Sequence, residues 1–513
     1  MLKVNIFKII AITLLLVGCG TANRKQTAKL KKFVQAGQLK KAEKFVGSKD
    51  FYPEKRDRLL KLLELGTIQY LNSHYYQSLK TFDKAKDLSD KLFTVSISKK
   101  VTAAVSNDNY DNYYGEKFER SMIRFYQSLI HLKLGQNGLY ESYTVKVKGK
   151  DGKVVDRLVP EKKLSQKEKS KHLRMASNVL IEWNSLLDNY KSTTGGKIAY
   201  KADLLAAVYG AYVWNQLGKK SRAINLYKDA KNILFKNFNI LETYNEKSKK
   251  FKEDYKKLPN MSLKNVKKKY VKSTEHAQML VEYIDERIKE LSKNKSGNLH
   301  VLIEKGFITP KKANKVRIPL PFTGKYNLGK SFVSFCSNVL SMASRVAPSI
   351  YFEIPEIPFE PVKGKYVLLV KDKSGKIKKQ KELAVVNPLA NLATLIMDEK
   401  SFSTKAKIGA RLVGKHLAAL VAAYGISKKG GALAGSLAYA AATKGIEASE
   451  RADLRIWSLL PHHFRITSLS LPAGEYQLEL ERKSGKTSTV TKLGPVTVKK
   501  KNKMGRLVTY RTY

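Results

Sequence analysis

Where the prolines fall constrains this chain more than any other feature. Of 14 prolines in 513 residues, only Pro53, Pro160 and Pro259 lie between Arg24 and Leu291. Proline lacks the amide donor and clashes with the preceding turn, so a long stretch that avoids it is free to be helical. Apolar residues in that stretch recur at steps of three and four between short turns, which predicts antiparallel helix pairs. From about Gly297 onward Pro, Gly and β-branched residues rise and short strand-like runs replace the long periodic ones. The expected fold class is α+β and multidomain. A helical solenoid over 31–291 precedes a β-sandwich-like domain over 292–513, with an α-helical hairpin inserted near 388–457.

Two stretches of the helical half can be laid on the tetratricopeptide pattern, in which small residues let two helices approach and aromatics fill the gaps. Leu65 and Gly66 take the first-helix places, followed by Tyr75, Ser78, Phe82 and Ala85 on the second; Gln69 departs from the aromatic expected there. The second register holds Ala211, Trp214, a turn at Gly218, then Ala223, Tyr227 and Ala230. Gly37, Leu39 and Ala42, and the stretch from Phe125 to Gly135, are partial copies. A tetratricopeptide-like array presents a face for peptides or partner proteins, a step that rests on fold analogy. Tyr143 to Leu158 alternates around Asp151-Gly152 and is expected to form a β-hairpin between helices.

In the second half, strands are expected over Leu299 to Ile303, Val316 to Leu320, Ser349 to Ile354, Tyr366 to Val370 and Lys376 to Val386. Asp372 to Gly375 should turn the last two into a hairpin. Helices follow over Pro388 to Asp398, Thr404 to Ala423 and Gly430 to Trp457, then strands over Arg465 to Leu471, Glu475 to Glu481, Thr487 to Val498 and Arg506 to Tyr513.

The N-terminus gives an address. Lys3 and Lys8 precede the uncharged run Ile9 to Val17, too short to span a bilayer, so residues 1–18 are expected to be a signal peptide. Leu16-Val17-Gly18-Cys19 resembles the lipobox of bacterial lipoproteins. The resemblance implies cleavage before Cys19, diacylglycerol on its sulfur, and a tether over 19–30. Several acyl chains anchor durably where one does not. Gly20 and Thr21, with no Asp after the cysteine, resemble lipoproteins released to the outer membrane, on its periplasmic side. The net charge of +53 predicts attraction to polyanions but says nothing of fold. Between Glu242 and Lys272, eleven lysines face four acids, which reads as a solvated long helix or linker, with a polyanion-binding patch as the alternative.

Motifs with a chemistry are few. Gly324 to Ser331 satisfies GxxxxGK[ST], but Pro319 and Pro321 break the strand such a loop requires, and an exported protein meets no nucleotide pool. His462 and His463 lack ligand partners at metal spacing, and Cys336 has no neighbouring His, so both read as structural. No enzyme, cofactor, metal or nucleic-acid partner is expected. Gly409 to Gly445 is rich in Ala and Gly, yet Lys415, His416, Lys428, Lys429 and Lys444 leave no uncharged run near twenty residues, which favours a soluble hairpin packed on the sheet over a membrane-surface or pore-forming one.

Four stretches together resemble a family of bacterial envelope lipoproteins with a tetratricopeptide-like N-terminal half and a β-rich C-terminal domain. They are Tyr114 to Arg120; Val301 to Phe307, leading to Ile318-Pro319-Leu320-Pro321; Glu447 to Trp457; and Leu460-Pro461 through Leu471 to Glu475. The resemblance implies no catalytic residue and, loosely, a role alongside other envelope lipoproteins. Within the third stretch Glu450, Arg451, Asp453, Arg455 and Trp457 are candidate interaction or structural residues, because opposite charges three and four apart pair on one helix face. The expected function is a lipid-anchored scaffold whose helical array binds an envelope protein or peptide. The alternative is a basic protein that holds peptidoglycan or lipopolysaccharide.

Overall fold

The computed structural model describes residues 19–99, 111–148, 154–193, 200, 202–236, 238–241, 249–250, 253, 275–293, 297–319, 349–484, 487–499 and 505–513. The signal segment, the Asp-Gly turn, most of the lysine-rich run, the GxxxxGK[ST] loop and Cys336 lie outside the described residues.

The first half is helical: α1 (Cys19–Gln35), α2 (Leu39–Gly47), α3 (Arg58–Leu71), α4 (Tyr75–Lys99), α5 (Lys117–Asn137), α6 (Gln166–Thr193), α7 (Leu204–Gln216), α8 (Lys220–Lys236), the single turn α9 (Phe238–Leu241) and α10 (Glu275–Ser292). The tether expected over 19–30 is instead most of α1, and Leu30 and Val34 on it join the core. From Cys19 to Ala36 the only breaker is Gly20, so nothing interrupts the turn-to-turn hydrogen bonds.

Both expected registers fall on helix pairs. On α3 and α4, Ser78 Oγ donates to the Gly66 carbonyl at 2.7 Å, and a Cβ at Gly66 would lie 3.0 Å from the Phe82 ring. Gly66 therefore fixes how closely the two helices approach. The non-aromatic Gln69 accepts from Thr81 Oγ1 at 2.7 Å, so a hydrogen bond replaces ring packing. In the second pair, Asp203 caps α7 by accepting from the amides of Leu205 and Ala206, and Gly218 turns the chain at φ 71°. Ala211, Ala223, Tyr227 and Ala230 are buried between α7 and α8, while Trp214 stacks under Arg222, with the guanidinium 3.7 Å from the ring centroid.

The β excursion forms as β2 (Tyr143–Lys148) against β3 (Val154–Val159), antiparallel, beside a two-residue pair of β1 (Leu139–Tyr140) and β4 (Lys162–Lys163). The C-terminal half contributes β5 (Leu299–Lys305), β6 (Lys312–Pro319), β7 (Ser349–Glu356), β8 (Lys365–Lys371), β9 (Ile377–Glu382), β10 (Ala384–Asn387), β11 (His463–Leu469), β12 (Gly474–Ser484), β13 (Thr487–Val498) and β14 (Arg506–Thr512). The expected strand over Lys376 to Val386 is two strands. β9 pairs with β8 in the sheet β13-β12-β8-β9, and after Leu383 the chain crosses to β11 in the sheet β10-β11-β5-β14. The 372–375 turn forms as expected, with Asp372 Oδ1 accepting from the Ser374 and Lys376 amides at 2.9 and 3.0 Å and Gly375 at φ 83°.

Strand alternation then dictates three layers, because successive residues of a strand point to opposite faces. On β5, Leu299, Val301 and Ile303 join Leu368, Val370, Leu478 and Leu480 of the other sheet in one cluster. Leu302, between them, faces the helices and shares their cluster with Phe464, Ile466 and Leu507. The sheet containing β5 is thus covered on both faces, by helices on one and by a second sheet on the other. One continuous apolar cluster runs from Leu30 to Leu507, across the change of texture at residue 297.

The inserted helix α11 (Leu389–Ser449) is broken at Gly431, with φ 81° and ψ 167°, into two arms. His416 Nδ1 lies 3.2 Å from Tyr439 Oη, and Arg411 Nε donates to Glu450 Oε1 at 2.9 Å, so the arms run antiparallel. The three helices expected over 388–457 are therefore one hairpin ending at Ser449. Ile408 and Leu412 at its root pack on Phe352 and Ile354 of β7. Among the described residues no helix is long and apolar enough to cross a membrane.

Candidate functional site

Of the stretches singled out in the sequence, Tyr114 to Arg120, Val301 to Phe307 and Glu447 to Trp457 meet around the segment 450–460, against the helical layer; Leu320 and Pro321 lie outside the described residues. The expectation that Glu447 to Trp457 lies on one helix face is corrected here: the helix stops at Ser449, and residues 450–456 are irregular. The pairs form across space instead. Glu450 is buried at the hairpin root, where its oxygens accept from Arg411 and, at 2.7 Å, from Lys415. Burial alone would raise its carboxyl, but the two cations outweigh that and lower it. Asp453 and Arg455 pair two residues apart, Nη2 to Oδ2 at 2.8 Å, and Arg455 Nη1 reaches Asp57, just before α3, at 3.0 Å.

Two carboxylates on the helices hold the backbone of the same segment. Gly115, at φ 86°, turns the chain into α5, and a capping box follows in which Glu116 is the N-cap and Glu119 bonds back to its amide at 2.7 Å. Glu119, fully buried, also accepts from Tyr113 Oη and, through Oε1, from the Trp457 amide at 2.6 Å. Glu64 on α3 accepts from the Ser458 and Leu459 amides at 2.7 and 3.2 Å. Burial raises the carboxyls of both, and that of Glu64 to about 7 despite the hydrogen bonds from Ser458 and Leu459 and the charge of Lys31. Between them Trp457 is wholly enclosed, with its indole N–H on Thr67 Oγ1 at 3.0 Å and its ring beside Phe82 and Tyr126.

A second knot ties the helices to the sheet. Glu304 of β5, 1% exposed, accepts from Tyr70 Oη at 3.0 Å, Tyr126 Oη at 2.8 Å and Arg511 Nη1 at 3.0 Å. Phe125 packs edge-on to Phe464 of β11. The helical face turned toward the sheet is therefore filled by the chain's own residues.

Where the loop before α5, the start of β6, the root of α11 and residues 451–455 meet, a cleft of about 60 Å³ opens, lined among others by Tyr113, Glu116, Lys311, Lys400, Arg451 and Asp453. That is room for a few waters. Burial would raise the Glu116 carboxyl, but Lys311 at 2.7 Å and Lys400 at 3.3 Å outweigh it and hold it at about 2. Neighbouring carboxyls pushed in opposite directions are the arrangement general acid–base catalysis uses. Here the raised member, Glu119, does not line the cleft, and its oxygens are taken up by Glu116, Tyr113 and Trp457. The arrangement clamps a segment.

The remaining expected residues sit apart from this seam. His462 and His463 face each other, Nδ1 to Nδ1 at 2.9 Å, and His463 Nε2 accepts from Arg465 Nε at 3.1 Å. Among the described residues no group of three or more His, Cys, Asp or Glu is placed to hold a metal ion. Cys19 opens α1, far in sequence from the cleft. Sequence reasoning missed Asp57, Glu64, Lys311 and Lys400. Glu64 carried a signal, being the lone acid in the largely apolar stretch Leu59 to Leu71; a carboxylate there must find donors or stay protonated.

The fold and the seam define a layered α+β protein whose halves are joined by buried carboxylate clamps. No family model, no curated protein and no solved structure matches the chain.

Proposed function

We propose that this protein is a lipid-anchored, non-catalytic scaffold of the bacterial cell envelope, held to a membrane by acyl groups on Cys19 and binding a protein or peptide partner. The helix pairs are read as tetratricopeptide-like and the paired four-stranded sheets as a β-sandwich. The observation that carries the reading is the seam. The buried carboxylates of Glu64, Glu119 and Glu304 are committed to holding the helices against the sheets, which suits a body that presents surfaces. Because the sheet-facing side of the helices is filled from within, the partner engages their opposite side and the cationic rim of the cleft at Lys400 and Arg451. With α1 beginning at Cys19, acylation there would hold the body close to the bilayer.

The net charge of +53 favours one second reading, a binder of anionic envelope polymer. Salt separates the two, since the screening length falls from about 10 Å at 0.1 M to about 3 Å at 1 M. Pull-downs with the mature chain at both salt concentrations should retain one defined protein at high salt, and Arg451→Glu should release it. Retention of only salt-labile polymer would overturn the scaffold reading. For the anchor, Cys19→Ala should abolish acyl labelling and free the protein from the membrane fraction; unchanged fractionation would refute it.

A further inference from the structure

The outer part of the α11 hairpin carries apolar residues on faces left exposed among the described residues. Leu420, Ala423 and Tyr439 are buried where the two arms meet. Yet Val413, Leu417 and Val421, at four-residue steps on one face of the first arm, are 54%, 44% and 55% exposed, and Leu433 and Leu437 on the second are 67% and 64% exposed. A helix apolar on its outward as well as its inward faces belongs against something other than water. At 1.5 Å per residue the arm from Leu412 to Gly430 is about 27 Å long, so this is an extended surface.

Charge identifies what covers it. Between Thr404 and Ile446 there are seven Lys and Arg and no Asp or Glu; at the root Arg411 and Lys415 pair with Glu450 and Lys444 with Glu447, so the acid-free cations are those toward the tip. Lys428 and Lys429 are exposed at the turn, and Lys405, Lys407 and Lys444 are exposed toward the root, so cations flank the apolar band at both ends. A second copy would bring the same cations and no acid to the outer part of the arms, and pairing two such tips sets like charges together. An anionic lipid surface complements both features at once, with apolar side chains in the acyl boundary and lysine stems reaching the headgroups. The arm does not span: from Leu417 to Ser427, between His416 and Lys428, is about 16 Å of helix against a hydrocarbon core of about 30 Å.

We propose that the hairpin from Thr404 to Ile446 is a membrane-surface element that lies in the interface of a bilayer containing anionic lipid. This contact needs no acyl group, so it stands or falls separately from the Cys19 anchor. The test uses the chain from residue 19 to 513 with Cys19→Ser. Its probes are vesicles of phosphatidylcholine with one quarter phosphatidylglycerol, at salt high enough to screen the rest of the basic surface. The chain should float with these vesicles, and L433S/L437S should weaken partitioning about tenfold or more. Both leucines are largely exposed, so folding is retained, which circular dichroism checks. In Leu433→Trp, emission beyond that of the parent chain should be quenched by brominated phosphatidylcholine; Trp183 and Trp457 are enclosed, Trp214 is half-buried under Arg222, and the parent chain run alongside supplies the background of all three. Partitioning of L433S/L437S equal to the parent would give the binding to diffuse charge and overturn the proposal. So would an unquenched Leu433→Trp, or a soluble dimer that L433S/L437S dissociates, which would assign the arm to a second copy.

Discussion

The seam at residues 450–460 and the hairpin arm that precedes it are adjacent in sequence and opposite in construction. In the seam, charged and polar groups are buried and each clamping carboxylate meets named donors: Glu119 has three and Glu64 has two. In the arm, apolar side chains are exposed and lack cover. The contrast teaches that burial of charge here joins one half to the other, while the apolar surface left exposed on the arm is what the membrane-surface proposal rests on. A buried carboxylate is tolerated only with its donors in place, so the seam resists substitution. An exposed leucine contributes almost nothing to folding, so the arm tolerates it.

Five variants would break or sharpen this contrast. Trp457→Ala, which empties the centre of the seam and strands Thr67, should cost about 4 kcal/mol in urea unfolding, and a loss under about 1 kcal/mol would mean the seam is not a core. The next is a pH effect at Glu64. Its folded value, about 7, lies above the ordinary 4.5, so it binds a proton more tightly in the folded state. Stability from this group is present below 4.5 and is lost as pH rises through 7. The stability of Glu64→Gln relative to the parent chain should therefore climb over that interval by on the order of 3 kcal/mol, whatever constant offset the lost acceptor adds. A flat difference would remove the clamp's protonation from the account.

Arg455→Lys keeps the charge but loses the fork that joins Asp453 to Asp57, and should cost about 2 kcal/mol by the same measurement. Gly66→Ala forces a methyl toward the Phe82 ring and should cost about 1 to 2 kcal/mol in thermal unfolding; a neutral result would show that α3 and α4 separate freely. L433S/L437S should change stability by no more than about 0.5 kcal/mol, and a large loss would mean the arm packs on the body after all.

Much of the fold could be read from local pattern. Proline avoidance marked the helices, Asp372 to Gly375 marked its turn, and small residues marked the α3–α4 and α7–α8 contacts, because each of these depends on neighbours a few positions away. The site was harder. Trp457 and Arg455 were singled out, but on a helix that ends at Ser449, since charge spacing cannot tell a helical pair from an extended pair whose partners lie elsewhere. Asp57, some four hundred positions before Arg455, has no local mark at all.

The sequence alone determined where helices give way to strands, because secondary structure follows the periodicity of side chains along a single segment. It also carried the +53 charge and the cationic, acid-free arm, which are properties of composition. Only the tertiary structure decided that β5 is covered on both faces, that Glu304 sits between Tyr70 and Tyr126, and that the helices' inner side is already occupied. Those facts depend on which distant surfaces meet, and the meeting is fixed by the simultaneous burial of apolar area and the hydrogen bonding of the carboxylates carried inside with it.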